Sequence, residues 1–288
     1  GLKELVDAGI PGYIFPESAV RALAALNRYR LWVERPEGTV QQFPVNRAAA
    51  ADIIRGARAA GRTRLREGES LALLEAYGIP TAPWQVVTSA DEAAAAAQAM
   101  GYPVVLKVMH DRIEHKSDVG GVVTGLADQA SVREGFASLL HNVKEHTGFD
   151  PDGVLVQRMI QGGRETIVGS TRDQKAGPLL MFGLGGIFVE VMKDVVFRVH
   201  PVTDVDAGEM VRSIRGYPLL EGVRGAAPVD LKALEEVIRR VSQLVGEQEA
   251  IEEMDINPLA AFPDRVVALD ARFRITGEGQ SGSGKREE

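Results

Sequence analysis

Residues 253–270 read EMDINPLAAFPDRVVALD, two strand-like runs folded back on each other, with three oxygen-bearing side chains at otherwise apolar positions. Side chains alternate across a strand, so Asp255 and Asn257 share one face while Met254 and Ile256 take the other. Pro258 removes one ladder donor. A turn centred on Pro263 and Asp264 sets Asn257 directly opposite Asp270, and cross-strand neighbours lie about 5 Å apart. Asp255, Asn257 and Asp270 would then converge. Carboxylate and amide oxygens with no His or Cys nearby favour a hard cation, and Mg²⁺ keeps several waters and usually bridges to substrate phosphates. The competing reading is an ordinary hairpin with an exposed polar face, and this segment alone does not separate the two.

The rest of the chain sets the limits. Its 288 residues, 45% hydrophobic and 25% charged, suit a soluble globular protein of one large domain or two smaller ones. No apolar run is long enough to cross a bilayer, so no membrane partner is expected. A net charge of −7 argues against a surface built to neutralise nucleic acid, though a local basic pocket for phosphates stays open. Zero cysteines exclude disulfides and thiolate chemistry and suit a cytoplasmic location. The chain opens on Gly1 and runs straight into an amphipathic pattern, which suggests a piece of something longer.

Residues 1–35 contain a strand-like piece, GYIF, then Pro16 and a helical stretch, SAVRALAALNRYRLW, which Ser18 would cap. Leu23, Leu26 and Trp32 follow helical spacing, as in the last β-α unit of a preceding domain. Residues 36–64, with Pro36, Gly38 and many Ala and Arg, read as an extended or partly helical linker, with a boundary near Gly61. From there to residue 276 the pattern is α/β. Leu71, Leu73, Leu74 and Tyr77 fall on a helix ended by Gly78, WQVV at 84–87 is a strand, and Ser89 with Glu92 opens an Ala-rich helix that Gly101 closes. VVLKV follows, then strands are expected at VVTGL, VLVQ, ETIVGS, LLMF, IFVEV and VVFRV, so that strands dominate the middle. Helices are predicted over 204–214 and 230–245, the second with Leu231, Leu234, Ile238, Val241 and Val245 on one face. Residues 277–288, GEGQSGSGKREE, read as a disordered tail whose GSGK lacks the strand and helix of a phosphate loop.

Several residues carry chemistry. Lys107 sits in an apolar strand, where a buried ammonium is costly unless a charge compensates it. Polyphosphate would supply that charge; a side chain snorkelling from the strand end is the bland alternative. The following loop holds His110, His115, Lys116 and the pair Gly120-Gly121, whose backbone amides could approach an anion closely. A neutral imidazole at His115 can attack phosphorus, although a lone loop histidine is more often a surface residue. Gln157 to Ile160, QRMI, would connect the two halves of the sheet, where backbone could read an adenine edge through Gln157, Met159 and Ile160. Glu165 starts the next strand after a Gly-Gly turn. Gly183, Gly185 and Gly186 in FGLGG are poor strand material and are expected to form an anion-accepting turn with free N–H groups. Glu190 could support a metal or a histidine, or simply mark an exposed strand end.

Taken together, LLEAYGIP, YPVVLKV, HKSDVGGV, GRETIVGSTRD, GPLLMFGLGGIFVEVMKDVVFRVHP, LLEGVRG, EMDINPL and ALDAR resemble a known family over about Leu65 to Ile275. It is the nucleoside-diphosphate-forming acyl-CoA synthetases, in their ATP-grasp portion, and the match is similar to the β subunit of ADP-forming acetyl-CoA synthetase. The resemblance implies an α/β (α+β) ATP-grasp fold of two subdomains gripping ATP or ADP, with Mg²⁺ on Asn257 and Asp270. It implies that Asp255 lies beside the metal or the phosphorylated histidine, that Lys107 contacts phosphates, and that QRMI with Glu165 lines the nucleotide cleft. His115 maps to a histidine thought to ride on a mobile loop and carry phosphate between sites. His115, Glu190 and Asp255 are therefore the catalytic candidates, and Lys107, Lys116, Gly120, Gly121, Gln157, Met159, Ile160, Glu165, Gly183, Gly185 and Gly186 the nucleotide-binding ones.

Residues 1–35 look like the end of the CoA-binding ligase portion, whose principal phosphohistidine this chain lacks. The implied partners are that portion, on the same protein or a separate subunit, and, in the complete enzyme, CoA and a small-molecule acid; homo-oligomerisation stays open. The implied reaction converts acyl-CoA, ADP and phosphate reversibly to acid, CoA and ATP. The chain alone would bind MgADP or MgATP without forming a thioester. Three other readings compete: a regulatory or degenerate domain fused to a protein acetyltransferase, an ATP-grasp ligase joining a carboxylate to an amine, and a structural scaffold. Intact Lys107, His115, Asn257 and Asp270 count against the first, and HKSDVGGV has no explanation under the second.

Overall fold

In a computed structural model, which describes residues 2–113, 116–186, 193–223, 225 and 227–277, the chain divides between Thr39 and Val40. The first unit carries helices α1 (Leu2–Asp7) and α2 (Pro16–Val33). The expected GYIF strand is absent: Tyr13 and Ile14 precede α2 without pairing. Ser18 is not its cap either. Pro16 takes the first helical turn, which its fixed φ suits, and Phe15 occupies the cap position without a side-chain hydrogen bond.

The predicted linker is partly helical, one of the two forms expected for it. Arg47–Ala59 form α3, capped by Asn46, whose side chain accepts from Ala49 N at 3.1 Å. Ala and Arg are strong helix formers, and the small side chains let Ala50, Ile54 and Ala57 pack into the core of the second unit. The division by packing falls between Thr39 and Val40, ahead of α3, which belongs with the second unit.

The second unit contains two lobes. In the smaller, β1 (Trp84–Val87), β2 (Val104–Met109), β3 (Val122–Leu126) and β4 (Gly153–Arg158) form an antiparallel sheet in the order β1-β4-β2-β3. Helices α5 (Ala90–Met100) and α6 (Gln129–Thr147) cover one face. The length of α6 was not expected, yet Val132, Phe136, Leu139 and Val143 recur every three or four residues and are all buried. In the larger lobe, β5 (Arg164–Asp173), β6 (Gly177–Leu184), β7 (Val195–Val199), β8 (Ile251–Ala261), β9 (Val266–Ala268) and β10 (Ala271–Ile275) run β10-β8-β5-β6-β7, with β9 on β8. Its core lies between one sheet face and α3, α7 (Asp204–Ser213), α8 (Tyr217–Glu221) and α9 (Leu231–Glu247). Among the described residues no helix is long and apolar enough to cross a membrane.

Helix α4 (Glu67–Ala76) belongs to both lobes. Leu73, Leu74 and, just past its end, Tyr77 sit in the larger core, while Leu71 packs with Met109, Leu155 and Trp84 of the smaller sheet. Its first turn lies so close to that sheet that a Cβ on Gly68 would sit 3.2 Å from both Trp84 and Val86. The lobes are thus joined through one helix whose first turn faces the uncovered side of β2 and β4.

The FGLGG expectation needs correction. Gly183 is not in a turn but inside β6, paired with Ile167 and Val195, and Gly185 N donates to Glu165 O at 2.8 Å. Glycine is needed at 183 because neighbouring chain comes too close: a Cβ there would meet Asp194 O at 2.6 Å. Gly186, with φ of +61°, is the one of the three in a left-handed turn. The IFVEV strand and the tail from 278 onward lie outside the described residues. Gly183→Ala is expected to cost about 1–3 kcal/mol through overpacking, read as a lower urea midpoint with unchanged slope. An unshifted midpoint would contradict this strand pairing.

Candidate active site

The Pro263-Asp264 turn forms as its residues predict, with Phe262 N donating to Arg265 O at 2.8 Å. Its register continues down the hairpin: Leu259 faces Ala268, Asn257 N donates to Asp270 O at 3.1 Å, and Asp255 faces Arg272. Met254 and Ile256 are buried on the helical side, so Asp255, Asn257, Asp270 and Arg272 share the open face of the larger sheet. Asn257 and Asp270 therefore lie opposite each other. Asp255, one rung away, has Arg272 and Glu253 as its charged neighbours, whereas Asp270 has Glu67, Lys107, Lys116 and Arg272. Desolvation raises the pKa of both acids, and for Asp270 the negative charge of Glu67 raises it further.

Lys107 extends from β2 toward α4, on the face away from the Val104, Leu106 and Val108 side chains of the small core. Its Nζ donates to Glu67 Oε1 at 2.5 Å and to Leu269 O at 3.3 Å. Lys116, in a short 3₁₀ turn over Lys116–Val119, pairs with the other oxygen, Oε2. Glu67 itself is almost wholly enclosed, its side chain 3% exposed against 15% for Lys107 and 24% for Lys116. Burial pushes its pKa up, but the two ammonium groups outweigh that and hold it below the ordinary carboxylate range.

Glu67 is thus the site residue that the sequence did not reveal. The compensation expected from phosphate for Lys107 is supplied first by a protein carboxylate. The available signal was a pair of acids, Glu67 and Glu69, in the first turn of a helix, a placement that the helix dipole alone accounts for.

Other expected site residues fall out variously. Gly121 N donates to Lys116 O at 2.7 Å and Gly120 N to Ser117 O at 3.2 Å, so both amides close the 3₁₀ turn instead of facing an anion. Gly121 is needed for contact with β2, since a Cβ would lie 2.3 Å from Val108. Gln157 is buried on β4 opposite Trp84, with its Nε2 lacking a hydrogen-bond partner. Met159 N is committed to Pro103 O at 3.0 Å, and Ile160 follows it in the connection from the small sheet to the large. Glu165, just after that connection, approaches the glycine turn: a Cβ on Gly186 would lie 3.1 Å from its Oε2. The structure therefore groups Lys107, Lys116 and Asp270 around Glu67, and Glu165 with Gly185 and Gly186. His115 and Glu190 lie outside the described residues.

The donor set suits magnesium better than a closed metal centre. Among the described residues no three His, Cys, Asp or Glu side chains gather to hold an ion. A partly buried carboxylate of raised pKa with an amide across the ladder leaves coordination positions for water and phosphate, the usual magnesium arrangement.

Comparison with known proteins places this geometry in a family. Residues 56–275 match the family model of the ATP-grasp domain. The chain is 41% identical over 256 residues to the ADP-forming 4-hydroxybutyrate–CoA ligase of Nitrosopumilus maritimus, with 88% of this chain covered but 37% of that protein. It likewise spans 40% of an ADP-forming acetate–CoA ligase of Archaeoglobus fulgidus. Against the β subunit of ADP-forming acetate–CoA ligase I of Pyrococcus furiosus it is 44% identical over 230 residues, 78% of this chain and 97% of that subunit. Among solved structures, the dinucleotide-forming acetyl-coenzyme A synthetase 1 of Ca. Korarchaeum cryptofilum with coenzyme A and Ca-AMPCP superposes with a TM-score of 0.77 at 38% identity, over 79% of this chain and all of that one. The same protein with coenzyme A and Mg-AMPPCP, its phosphohistidine segment pointing towards the nucleotide binding site, gives 0.72 at 37% identity and the same coverage. The chain belongs to the ATP-grasp domain family, in the branch that includes the β subunits of ADP-forming acetate–CoA ligases.

Proposed function

We propose that this chain is the nucleotide-binding part of an ADP-forming acyl-CoA synthetase, exchanging a phosphoryl group between histidine and ADP. The observation that carries the reading is the convergence of Lys107, Lys116 and Asp270 on one buried carboxylate between the two lobes. Phosphoryl transfer needs chiefly alignment and charge neutralisation, and two ammonium groups fixed by a shared counter-ion provide both. The acetyl-CoA synthetase with Mg-AMPPCP supports magnesium and nucleotide as ligands, and the Pyrococcus β subunit supports a separate or fused ligase partner. Asn257 and Asp270 would hold the magnesium, which when bound neutralises phosphate charge. Lys107 and Lys116 would meet the remaining phosphate oxygens. Glu165 and the segment from Gln157 to Ile160 would line the nucleotide cleft, and His115 would carry the phosphoryl group toward the ligase part. Acid selection and thioester formation would belong to that part, so the acyl group is not encoded here. The regulatory and amine-ligase readings have no comparable support.

Asp270→Asn separates binding from folding. A carboxylate whose folded pKa is raised is destabilising in its charged form at neutral pH, and it contributes stability only when protonated, at low pH. The variant is therefore expected to unfold at the same or a higher temperature than the parent near pH 7, yet to lose magnesium-dependent uptake of ADP in calorimetry. A parallel loss of both would remove Asp270 from the ligand set. In the parent, MgADP affinity should weaken as the pH falls through the raised Asp270 pKa, because the metal needs the ionised carboxylate.

The reaction itself is tested by ADP–ATP isotope exchange and acyl-CoA synthesis with the ligase portion supplied. His115→Ala should abolish turnover while leaving nucleotide binding nearly intact. Exchange that survives this substitution would refute the phosphoryl-carrier assignment.

A further inference from the structure

The chain enters the second unit through residues 40–46, a strap with neither helix nor strand that is sewn onto α9. The Gln243 side-chain amide pairs with both backbone groups of Phe43, accepting from its N at 2.8 Å and donating to its O at 3.2 Å. The Phe43 ring is buried, with the Arg240 and Arg239 guanidinium groups 4.2 and 5.6 Å from its centroid, within cation–π range. Arg47, just past the strap, grips Glu247 through Nε at 2.7 Å and Nη2 at 2.5 Å, and the Gln243 amide donates to the same carboxylate at 2.9 Å. This network also holds the C-terminal end of α4. Glu247 Oε2 accepts from Tyr77 OH at 3.0 Å, Arg240 Nη1 donates to Tyr77 O at 2.9 Å, and Asn46 N donates to Ala76 O at 2.8 Å.

These bonds do something that packing does not. Leu73, Leu74 and Tyr77 bury the last turns of α4 in the larger core, but apolar contact is non-directional. A helix held only in that way can slide over its neighbours. The last carbonyls of a helix have no partner within it, so bonds from the strap and α9 to Ala76 O and Tyr77 O fix α4 along its own axis. The helix has ten residues and is about 15 Å long, and Glu67 stands at its other end. A shift at Tyr77 is thus a shift of Glu67, the carboxylate on which Lys107 and Lys116 are both paired. We infer that Phe43, Gln243, Glu247 and Tyr77 are positioning residues that set α4 along its axis and, through Glu67, place the two lysines for nucleotide phosphate. The inference rests on the proposed function, which makes those lysines the phosphate contacts.

The test uses the full chain carrying Trp32→Phe, which leaves Trp84 as its one tryptophan. Trp84 Nε1 donates to Glu75 of α4 at 2.8 Å, so its emission reports where that helix lies. Tyr77→Phe keeps the ring and cuts the link to Glu247, and Gln243→Leu unseats Phe43. Each is expected to weaken MgADP binding roughly tenfold in calorimetry, within the range of coupling through packed and hydrogen-bonded residues. Each should also shift Trp84 emission, with both readings taken well below the thermal midpoint. The double variant should lose no more than the weaker-binding single one, because both cut one chain of contacts. Val211→Ala, in the same core but outside that chain, should lower the midpoint without changing affinity or emission. Arg47→Ala removes a side chain that is 64% exposed, so it carries the test where Gln243→Leu does not fold, with binding about threefold weaker. Parental affinity or emission in Tyr77→Phe, parental affinity in Arg47→Ala, multiplicative losses in the double variant, or an equal loss in Val211→Ala would each overturn the inference. A parent that takes up no MgADP would instead bring down the proposed function, and Trp84 emission would still show whether the strap sets α4.

Discussion

One buried carboxylate organises this protein's cleft. Glu67 is removed from water almost completely, and an ion so placed costs several kcal/mol unless partners repay it. Two lysines do so, one from a strand of the smaller sheet and one from the turn after it, and the Lys107 ammonium also touches Leu269 O of the larger lobe. The arrangement is therefore more than a salt bridge within one element. It ties α4, the small sheet and the β9–β10 connection to a single point, and removing Glu67 leaves two partly buried ammonium groups without their shared counter-ion.

That point also explains why the larger sheet keeps one polar face. Helices cover the Met254, Ile256 and Phe273 side, and the opposite side carries Asp255, Asn257 and Arg272 in register. An antiparallel sheet with one solvated face is ordinary. Here the solvated face ends at Asp270, beside the lysine pair, so the sheet's polar edge and the buried ion cluster form one continuous surface.

Much of this was legible in the sequence where the signal was local. The hairpin register followed from a Pro-Asp turn and strict alternation, and Ser89 and Gly101 bounded α5 because capping chemistry is short-range. Lys107 stood out because an ammonium in an apolar strand demands a partner. What escaped were features decided by distant chain. Glu67 reads as any acid at a helix start until the lysines, 40 and 49 residues away, are brought onto it. The turn expected at Gly183 and the free amide expected at Gly121 are not found for the same reason: glycine in a turn and glycine under close approach of neighbouring chain look alike until the neighbour is known. In α3 the buried positions Ala50, Ile54 and Ala57 do recur at helical spacing, but two of the three are alanine and do not stand out from the other alanines as a packing face.

The charge balance of the cluster selects among ligands. Lys107 and Lys116 offset Glu67 and Asp270, so the quartet is neutral when both acids are ionised. A metal ion entering alone would leave surplus positive charge between two lysines, and a free nucleotide would set polyphosphate against two carboxylates. Each is disfavoured in a site shielded from solvent, where Coulomb terms exceed their values in water. Under the proposed function, a magnesium–nucleotide complex would avoid both penalties, with Asp270 facing the ion and the lysines the phosphate oxygens. On that reading Glu67 need not be displaced, because each ammonium carries three donors and can keep its carboxylate contact while donating to a phosphate oxygen. What the geometry shows is that the Glu67 carboxylate keeps two like charges close together; under the proposed function, that is the pair that would receive the nucleotide.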